Sequence, residues 1–194
     1  PRLPARKLAV AQGEGWRGEI CHLAVTGTNG KTSTAYFLRQ IFREAGYRTG
    51  LIGTVRCFIG DESFNIDSPD FSDVNGMTTP APETLYPLLK RMADAGVEIV
   101  FLEASSHSLD QRRLDPIRFI VSVFTNLTED HLDYHGTMEN YFEAKKRLID
   151  LSEVAVVNID DGWFETLCEA PVIPTVGFSP VGDERADFSA RNQR

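Results

Sequence analysis

A glycine-rich segment between a predicted strand and a predicted helix constrains this chain more than any other feature. It runs from Val25 to Ser33 and contains Thr-Gly-Thr-Asn-Gly-Lys-Thr. A tight turn of this kind exposes successive backbone N–H groups at the positive end of a helix, an arrangement that binds phosphate. Lys31 can reach the terminal phosphates of a nucleotide, and the Thr32 hydroxyl can bind Mg²⁺. The segment therefore predicts a site for a nucleoside triphosphate.

The loop departs from the usual phosphate-loop pattern at one position. Counting back from Lys31, the outer glycine position holds Val25, and the first glycine is Gly27. A bare Gly-Lys-Thr is weak evidence, and an ordinary glycine turn with a surface lysine is the alternative. Its position between a strand and a helix favours nucleotide binding, because the motif requires that context.

Composition and charge limit the classes of protein to which the chain can belong. Its 194 residues are 42% hydrophobic and 25% charged, which is enough for one sizeable core. No apolar run is long enough to cross a bilayer, and a formal net charge of −8 argues against a general nucleic-acid surface. The cysteines are far apart, which predicts reduced side chains in a cytoplasmic protein and argues against a disulfide framework or a zinc site. They are Cys21, Cys57 and Cys168.

Apolar strand-like runs alternate with helical patterns, which predicts an α/β fold with a mainly parallel sheet flanked by helices. We expect residues 1–20 to form a linker, residues 21–194 to form the domain, and residues 56–77 to form a hairpin or loop excursion with a turn at Gly60–Asp61. The predicted strands are Cys21–Thr26, Thr49–Val55, Glu98–Glu103, Arg118–Thr125, Val154–Asn158 and Val172–Phe178. The predicted helices are Lys31–Ala45, Pro82–Ala95, Met138–Leu151 and Gly162–Glu169.

A polar cluster follows the predicted strand that ends at Glu103. In an open parallel sheet, ligands bind beyond the carboxyl ends of the strands. A carboxylate at Glu103 can bind Mg²⁺ or order its waters. The alternative is that Ser105 or Ser106 caps the N-terminus of a helix.

A second polar cluster, at residues 125–136, is rich in Asn, Asp and His, which need partners when they are buried. A solvated loop is the alternative. His131 and His135 have the spacing of zinc ligands on one helical turn, but the expected neighbouring glutamate is missing and Gly136 interrupts the helix. A zinc protease is therefore disfavoured.

Five segments together resemble the Mur ligases, and within that family the ligases that add the third peptide residue to the peptidoglycan precursor. The string His-Leu-Asp-Tyr-His-Gly with a later Ala-Lys is the most specific part. The resemblance covers residues 21–190. The matching segments are Thr78–Pro80, Glu103–His107, Gln111–Arg113, Asp130–Gly136 and Tyr141–Lys145.

The resemblance implies a phosphate-loop NTPase-like central domain, cut short at its C-terminus and preceded by a linker from a missing N-terminal domain. Ligases of this kind join diaminopimelate or lysine to UDP-N-acetylmuramoyl-L-alanyl-D-glutamate through an acyl phosphate, using ATP and Mg²⁺. The missing N- and C-terminal domains of the same polypeptide would bind the uridine end and the amino acid. The isolated fragment is therefore expected to be inactive.

The resemblance also implies residue roles. Lys145 would be carried as a carbamate formed with CO₂, because an ammonium repels Mg²⁺ whereas a carbamate offers it anionic oxygens. The catalytic residues would be Lys31, Glu103, His131 and Lys145, and the Mg²⁺ ligands would be Thr32, Glu103, His131 and the Lys145 carbamate. The nucleotide would be bound by Gly27, Thr28, Asn29, Gly30, Lys31, Thr32, Ser33 and Asn126. The UDP-linked substrate would be bound by Thr78, Thr79, Ser105, Gln111 and Arg113.

Three alternatives remain open at this point. The chain could come from another ligase of the same superfamily, such as a folylpolyglutamate synthetase. It could instead be a nucleotide-binding or scaffold module without catalysis, or an unrelated phosphate-loop switch protein. The predicted catalytic set argues against the second, because a module that only binds does not need a two-magnesium site. By its spacing alone, Lys145 is an ordinary helical lysine.

Overall fold

The computed structural model describes residues 20–64, 77–168 and 173–190. These residues form strands and helices that alternate along most of the chain. The strands are β1 (Cys21–Thr26), β2 (Thr49–Ile52), β3 (Cys57–Ile59), β4 (Glu62–Phe64), β5 (Ile99–Glu103), β6 (Phe119–Phe124), β7 (Ser152–Asn158), β8 (Thr175–Ser179) and β9 (Phe188–Ser189). The helices are α1 (Lys31–Glu44), α2 (Pro82–Asp94), α3 (Ser106–Asp110), α4 (Leu132–His135), α5 (Met138–Asp150) and α6 (Phe164–Cys168).

The strands form one sheet in the order β4-β3-β2-β5-β1-β6-β7-β8-β9. The pairs β2–β3 and β3–β4 are antiparallel, and the other pairs are parallel. β1 lies between β5 and β6, with Val25 opposite Glu103 and Thr26 opposite Phe124. The carboxyl ends of these three strands therefore meet at one edge, directly below the loop that follows β1.

The central strands are apolar because helices cover both faces of the sheet. All five residues of β5 are buried, as expected for a parallel strand in the middle of an α/β sheet. On one face, the core contains Ala35 of α1 together with strand residues Val25, Leu51 and Phe101. This packing fixes α1, and with it the loop that leads into α1.

The predicted α/β fold with a mainly parallel sheet is confirmed, as is the turn at Gly60–Asp61 between β3 and β4. The strand predicted at Thr49–Val55 was too long, since β2 ends at Ile52. Three short elements, α3, α4 and β9, were not predicted, because their two to five residues are too few to show a periodicity. The predicted linker, apart from Ile20, and residues 65–76 of the predicted excursion lie outside the described residues.

The described part of the chain contains no helix that is both long and apolar enough to cross a membrane.

Candidate nucleotide and carboxylate-activating site

The loop after β1 has the backbone geometry that its glycines were expected to allow. Gly27 has a φ of 143°, and a Cβ there would collide with Thr125 Oγ1. Gly30 has a φ of 86° and directly precedes α1. Both positions favour glycine, the first also because of the close approach of the segment after β6. Ser33 lies exposed in the first turn of α1.

Asn126 holds this loop in place through three hydrogen bonds. Its Oδ1 accepts from Asn29 N at 2.9 Å, and its Nδ2 donates to Asn29 O at 3.0 Å. Its backbone O accepts from Thr28 N at 2.9 Å. The structure thus places Asn126 against the loop that was predicted to bind the nucleotide, with its amide engaged by the loop backbone.

Lys31 folds back across the loop. Its Nζ donates to Gly27 O at 2.9 Å and to Thr28 O at 2.8 Å. Burial lowers the pKa of Lys31, while the negative charges of Glu103 and Asp130 act in the opposite direction. The carbonyl groups of Gly27 and Thr28 therefore hold the ammonium group against the loop that was predicted to bind phosphate.

Glu103 is a fully buried carboxylate at the end of β5. Its Oε2 accepts from Thr32 Oγ1 at 2.7 Å and from Thr54 Oγ1 at 3.0 Å, and its Oε1 accepts from Thr54 N at 3.2 Å. Gly53 leaves room for this carboxylate, since a Cβ there would collide with Glu103 Oε1. The structure therefore brings together two predicted Mg²⁺ ligands, Thr32 and Glu103.

The donor set fits a magnesium ion that is held only partly by protein. Among the described residues, no cluster of three or more His, Cys, Asp or Glu side chains could hold a metal. Mg²⁺ in nucleotide sites typically takes one or two protein oxygens and completes its shell with phosphates and water. The oxygens of Thr32 and Glu103, 2.7 Å apart beside the loop, match that requirement.

Lys145, on α5, also lies against the loop after β1. Only 1% of the residue is exposed, and its Nζ donates to Gly27 O at 2.8 Å. Burial lowers the pKa of Lys145 to about 7, with a further contribution from the positive charge of Lys31, against the opposing effect of Asp130. A neutral amine is thus accessible near neutral pH, and this is the form that can react with CO₂.

His131 directly precedes α4. Its backbone adopts a left-handed conformation with a φ of 51°. Its ring is 3.5 Å from the Asp130 carboxylate and packs edge-on against the rings of His107 and Tyr141. The predicted role of His131 as a metal ligand stays a prediction.

The residues predicted to bind the second substrate form a connected group beside Glu103. Thr79 Oγ1 donates to Glu103 O at 2.7 Å and accepts from Ser105 N at 3.2 Å. Arg113 Nη1 donates to Thr79 O at 2.9 Å, and its Nε donates to Gln111 Oε1 at 2.9 Å. Ser105 also caps α3 by accepting from Ser108 N, so the helix-cap alternative is confirmed for this residue.

Thr54 and Tyr141 also lie at the site, although neither was predicted as a site residue. Thr54 hydrogen-bonds Glu103 and also Thr78 Oγ1, at 3.1 Å, which connects Thr78 to the group. Thr54 lies two residues after the end of β2 at Ile52. With that boundary, the rule that ligands bind at the carboxyl ends of strands would have pointed to Thr54. For Tyr141, the available signal was its i, i+4 spacing from Lys145, which places both on one helix face.

The fold and the loop define a phosphate-loop α/β domain with a buried carboxylate and a buried lysine beside the loop. A family model described as the Mur ligase middle domain matches residues 25–191. The chain belongs to this family.

Two curated relatives of this chain carry one and the same enzyme name. The UDP-N-acetylmuramoyl-L-alanyl-D-glutamate–2,6-diaminopimelate ligase of Mesorhizobium japonicum is 46% identical over 170 residues, which cover 86% of this chain and 33% of that protein. The ligase of that name from Caulobacter vibrioides is 41% identical over 187 residues, covering 93% of this chain and 37% of that protein. The chain spans 27–37% of the length of the curated relatives it matches.

Two solved structures share the fold of this chain, and one of them also shares a substantial part of its sequence. A structure of a UDP-N-acetylmuramoyl-L-alanyl-D-glutamate–2,6-diaminopimelate ligase superposes with a TM-score of 0.76 at 30% identity, covering 96% of this chain and 37% of that one. An FPGS–AMPPCP–folate complex superposes with a TM-score of 0.62 at 18% identity, covering all of this chain and 53% of that one. The second likeness shows the fold alone.

Proposed function

We propose that this chain is the ATP-binding and carboxylate-activating part of a ligase that joins an amino acid to UDP-N-acetylmuramoyl-L-alanyl-D-glutamate. The observation that carries the proposal is the buried Lys145, whose Nζ lies 2.8 Å from Gly27 O, on the same loop that Lys31 covers. A module that only bound a nucleotide would have no need to bury a second lysine there. The names of the curated relatives support the substrate class.

The proposed reaction has two steps. A carboxylate oxygen of the substrate attacks the γ-phosphorus of ATP, and the bond to the bridging oxygen breaks to release ADP and leave an acyl phosphate. The amine of the incoming amino acid then attacks the acyl carbon, loses a proton, and expels phosphate through a tetrahedral intermediate. Activation is necessary because a free carboxylate resists nucleophiles and its oxygen is a poor leaving group.

The main obstacle to the first step is charge, since ATP and a carboxylate repel each other. Lys31 and the N–H groups of the loop would bind the phosphates and offset the charge that develops on the transferred group. Bound Mg²⁺ adds positive charge at this point, and Thr32 and Glu103 are the residues that fit it best. As a carbamate, Lys145 would present oxygens to the same region.

The second substrate would lie along the group formed by Thr79, Ser105 and Arg113, next to Glu103. Arg113 is the cation of this group and would bind the acidic end of the muramoyl dipeptide. Diaminopimelate is the amino acid named for the relatives, and lysine is the other candidate. We place the reaction in the cytoplasm, where free cysteines such as the buried Cys21 and Cys57 persist.

An isotope-transfer experiment tests the proposed function. The full-length gene product is incubated with ATP and a muramoyl dipeptide whose glutamate side-chain carboxylate carries oxygen-18, with either diaminopimelate or lysine added. Activation through an acyl phosphate transfers one label to inorganic phosphate for each amide formed. Hydrolysis of ATP without label transfer, or in the absence of dipeptide, would contradict the proposal and favour a nucleotide-binding module.

A further inference from the structure

Tyr141 is a buried residue of α5 that contacts both the phosphate-binding loop and Lys145. Only 1% of the residue is exposed. Its hydroxyl lies 3.2 Å from Thr28 Oγ1, and the Lys145 Nζ lies 4.6 Å from the centre of its ring. Tyr141 therefore joins two parts of the candidate site that are far apart in the sequence.

The hydroxyl group of Tyr141 contacts a loop residue that has further hydrogen bonds. Its partner, Thr28 Oγ1, also donates to Thr128 O at 3.1 Å and accepts from Thr128 N at 3.0 Å. The backbone O of Thr28 is one of the two acceptors of Lys31 Nζ. Because the Thr28 hydroxyl donates to Thr128 O, the Tyr141 hydroxyl can donate to Thr28 Oγ1. A shift of Thr28 would therefore also shift Lys31.

The ring of Tyr141 packs against Lys145. The Lys145 Nζ lies over the ring face, 4.6 Å from the ring centre, and from there it reaches Gly27 O at 2.8 Å. The rings of His131 and His135 pack against the same tyrosine, with centroids 6.2 and 5.1 Å away. These contacts leave the tyrosine ring little freedom, so Lys145 is kept at a fixed distance from the loop.

We propose that Tyr141 is a positioning residue for the ligase reaction, with its hydroxyl fixing Thr28 and its ring fixing Lys145. The inference rests on the proposed function, since it assigns no new substrate. The competing explanation is that Tyr141 only fills the core around Phe124 and Phe142. A filling role depends on the ring alone, whereas a positioning role also depends on the hydroxyl.

The hydroxyl can be removed without disturbing the ring. In this chain, Tyr141→Phe is compared with Tyr36→Phe. The buried hydroxyl of Tyr36 has no hydrogen-bond partner among the residues that the structure describes. Calorimetric titration with Mg·ATP measures the dissociation constant, and circular dichroism checks the fold. We expect Tyr141→Phe to raise the dissociation constant about five- to tenfold, the effect of one lost hydrogen bond, and Tyr36→Phe to leave it unchanged.

A double-mutant cycle shows whether the effect passes through Thr28. Thr28→Val removes the partner hydroxyl while keeping the shape of the side chain. We expect the double variant to bind Mg·ATP no more weakly than Thr28→Val alone, because the hydrogen bond is already lost. If the double variant loses as much affinity as the product of the two single losses, the effect of the Tyr141 hydroxyl does not depend on Thr28.

The ring is tested separately by turnover of the full-length gene product. Tyr141→Leu should lower kcat in the wild-type background and cause no further loss in a Lys145→Ala background. A further loss there would show that the ring acts by packing and not through Lys145.

The controls separate the two proposals. A wild-type chain that binds no Mg·ATP overturns the proposed function, and the positioning role falls with it. A wild-type chain that binds, together with Tyr141→Phe equal to Tyr36→Phe, overturns the positioning role alone.

Discussion

Two lysine side chains donate hydrogen bonds to a single backbone oxygen in this molecule. Lys31 Nζ lies 2.9 Å and Lys145 Nζ 2.8 Å from Gly27 O. Two ammonium groups this close repel each other, and burial lowers the pKa of each. The arrangement is easiest to maintain when one amine is neutral or modified, or when anions lie nearby. At the residue scale, the site is therefore built for negative charge.

Lys31→Ala tests the part of the site that would contact phosphate. It removes the cation that offsets repulsion between ATP and the carboxylate. We expect turnover of the full-length gene product, measured as the release of phosphate, to fall at least about 100-fold. Lys90→Ala is the control, because Lys90 pairs with Asp94 on an exposed helix surface. Normal turnover in Lys31→Ala would contradict the nucleotide assignment.

Lys145→Ala tests the carbamate. The change removes the amine that CO₂ would modify, so we expect turnover to fall and to be restored in part by a short carboxylic acid such as acetate, which supplies similar oxygens. The matched control is the neighbouring Lys146→Ala, since Lys146 pairs with Glu143 at the surface. Unchanged kinetics in Lys145→Ala would refute the role.

The same amine predicts a pH dependence. The pKa of Lys145 is lowered to about 7, so the unprotonated fraction that reacts with CO₂ falls as the pH drops below that value. At a fixed, limiting bicarbonate concentration, we expect wild-type turnover to decline on the acid side of pH 7. Lys145→Ala rescued by acetate should lack this decline, because acetate stays ionised there. The two pH profiles are the measurement.

At the scale of elements, α5 brings Tyr141 and Lys145 to the loop, and its N-terminus is fixed by a side-chain cap. Thr137 accepts a hydrogen bond from Asn140 N at 3.2 Å, next to the turn at Gly136. Such a cap satisfies a backbone N–H that has no partner within the helix. The cap therefore contributes to the stability of the element that carries both side chains.

Thr137→Ala removes this cap and should destabilise the chain. We expect the free energy of unfolding in urea to fall by about 1 kcal/mol, the usual effect of losing such a cap. Thr137→Ser keeps the hydroxyl and should stay near the wild-type value. Equal unfolding curves for the wild type and Thr137→Ala would show that Thr137 contributes nothing as a cap.

The sequence predicted the elements that carry a long pattern and missed those that depend on tertiary contacts. The first helix and the strand before it were predicted closely, because a buried face and a glycine stop mark them. The hydrogen bond from Thr32 to Glu103 and the approach of Lys145 to Gly27 join residues 71 and 118 positions apart. No local pattern contains such contacts. Thr32 and Glu103 were predicted separately, from the loop motif and from the end of a strand, and only the resemblance pointed to Lys145.

At the scale of the whole molecule, a chain with a net charge of −8 must bind anionic substrates. The cations that would meet those substrates are concentrated at one edge of the sheet, where Lys31, Lys145 and Arg113 lie close to the loop and to Thr79. The topology explains this concentration, since β1 lies between β5 and β6 and their carboxyl ends converge. The acidic remainder of the chain would not attract ATP by itself.

The purified 194-residue chain should therefore separate binding from synthesis. Because it spans 27–37% of the length of its curated relatives, we expect it to bind Mg·ATP but to form no amide from the muramoyl dipeptide and an amino acid. Calorimetry measures the first property, and mass spectrometry of the UDP-linked product measures the second, with the full-length gene product as the positive control. Product from the chain alone would show that these residues suffice to bind both remaining substrates, and the division of labour proposed here would be wrong.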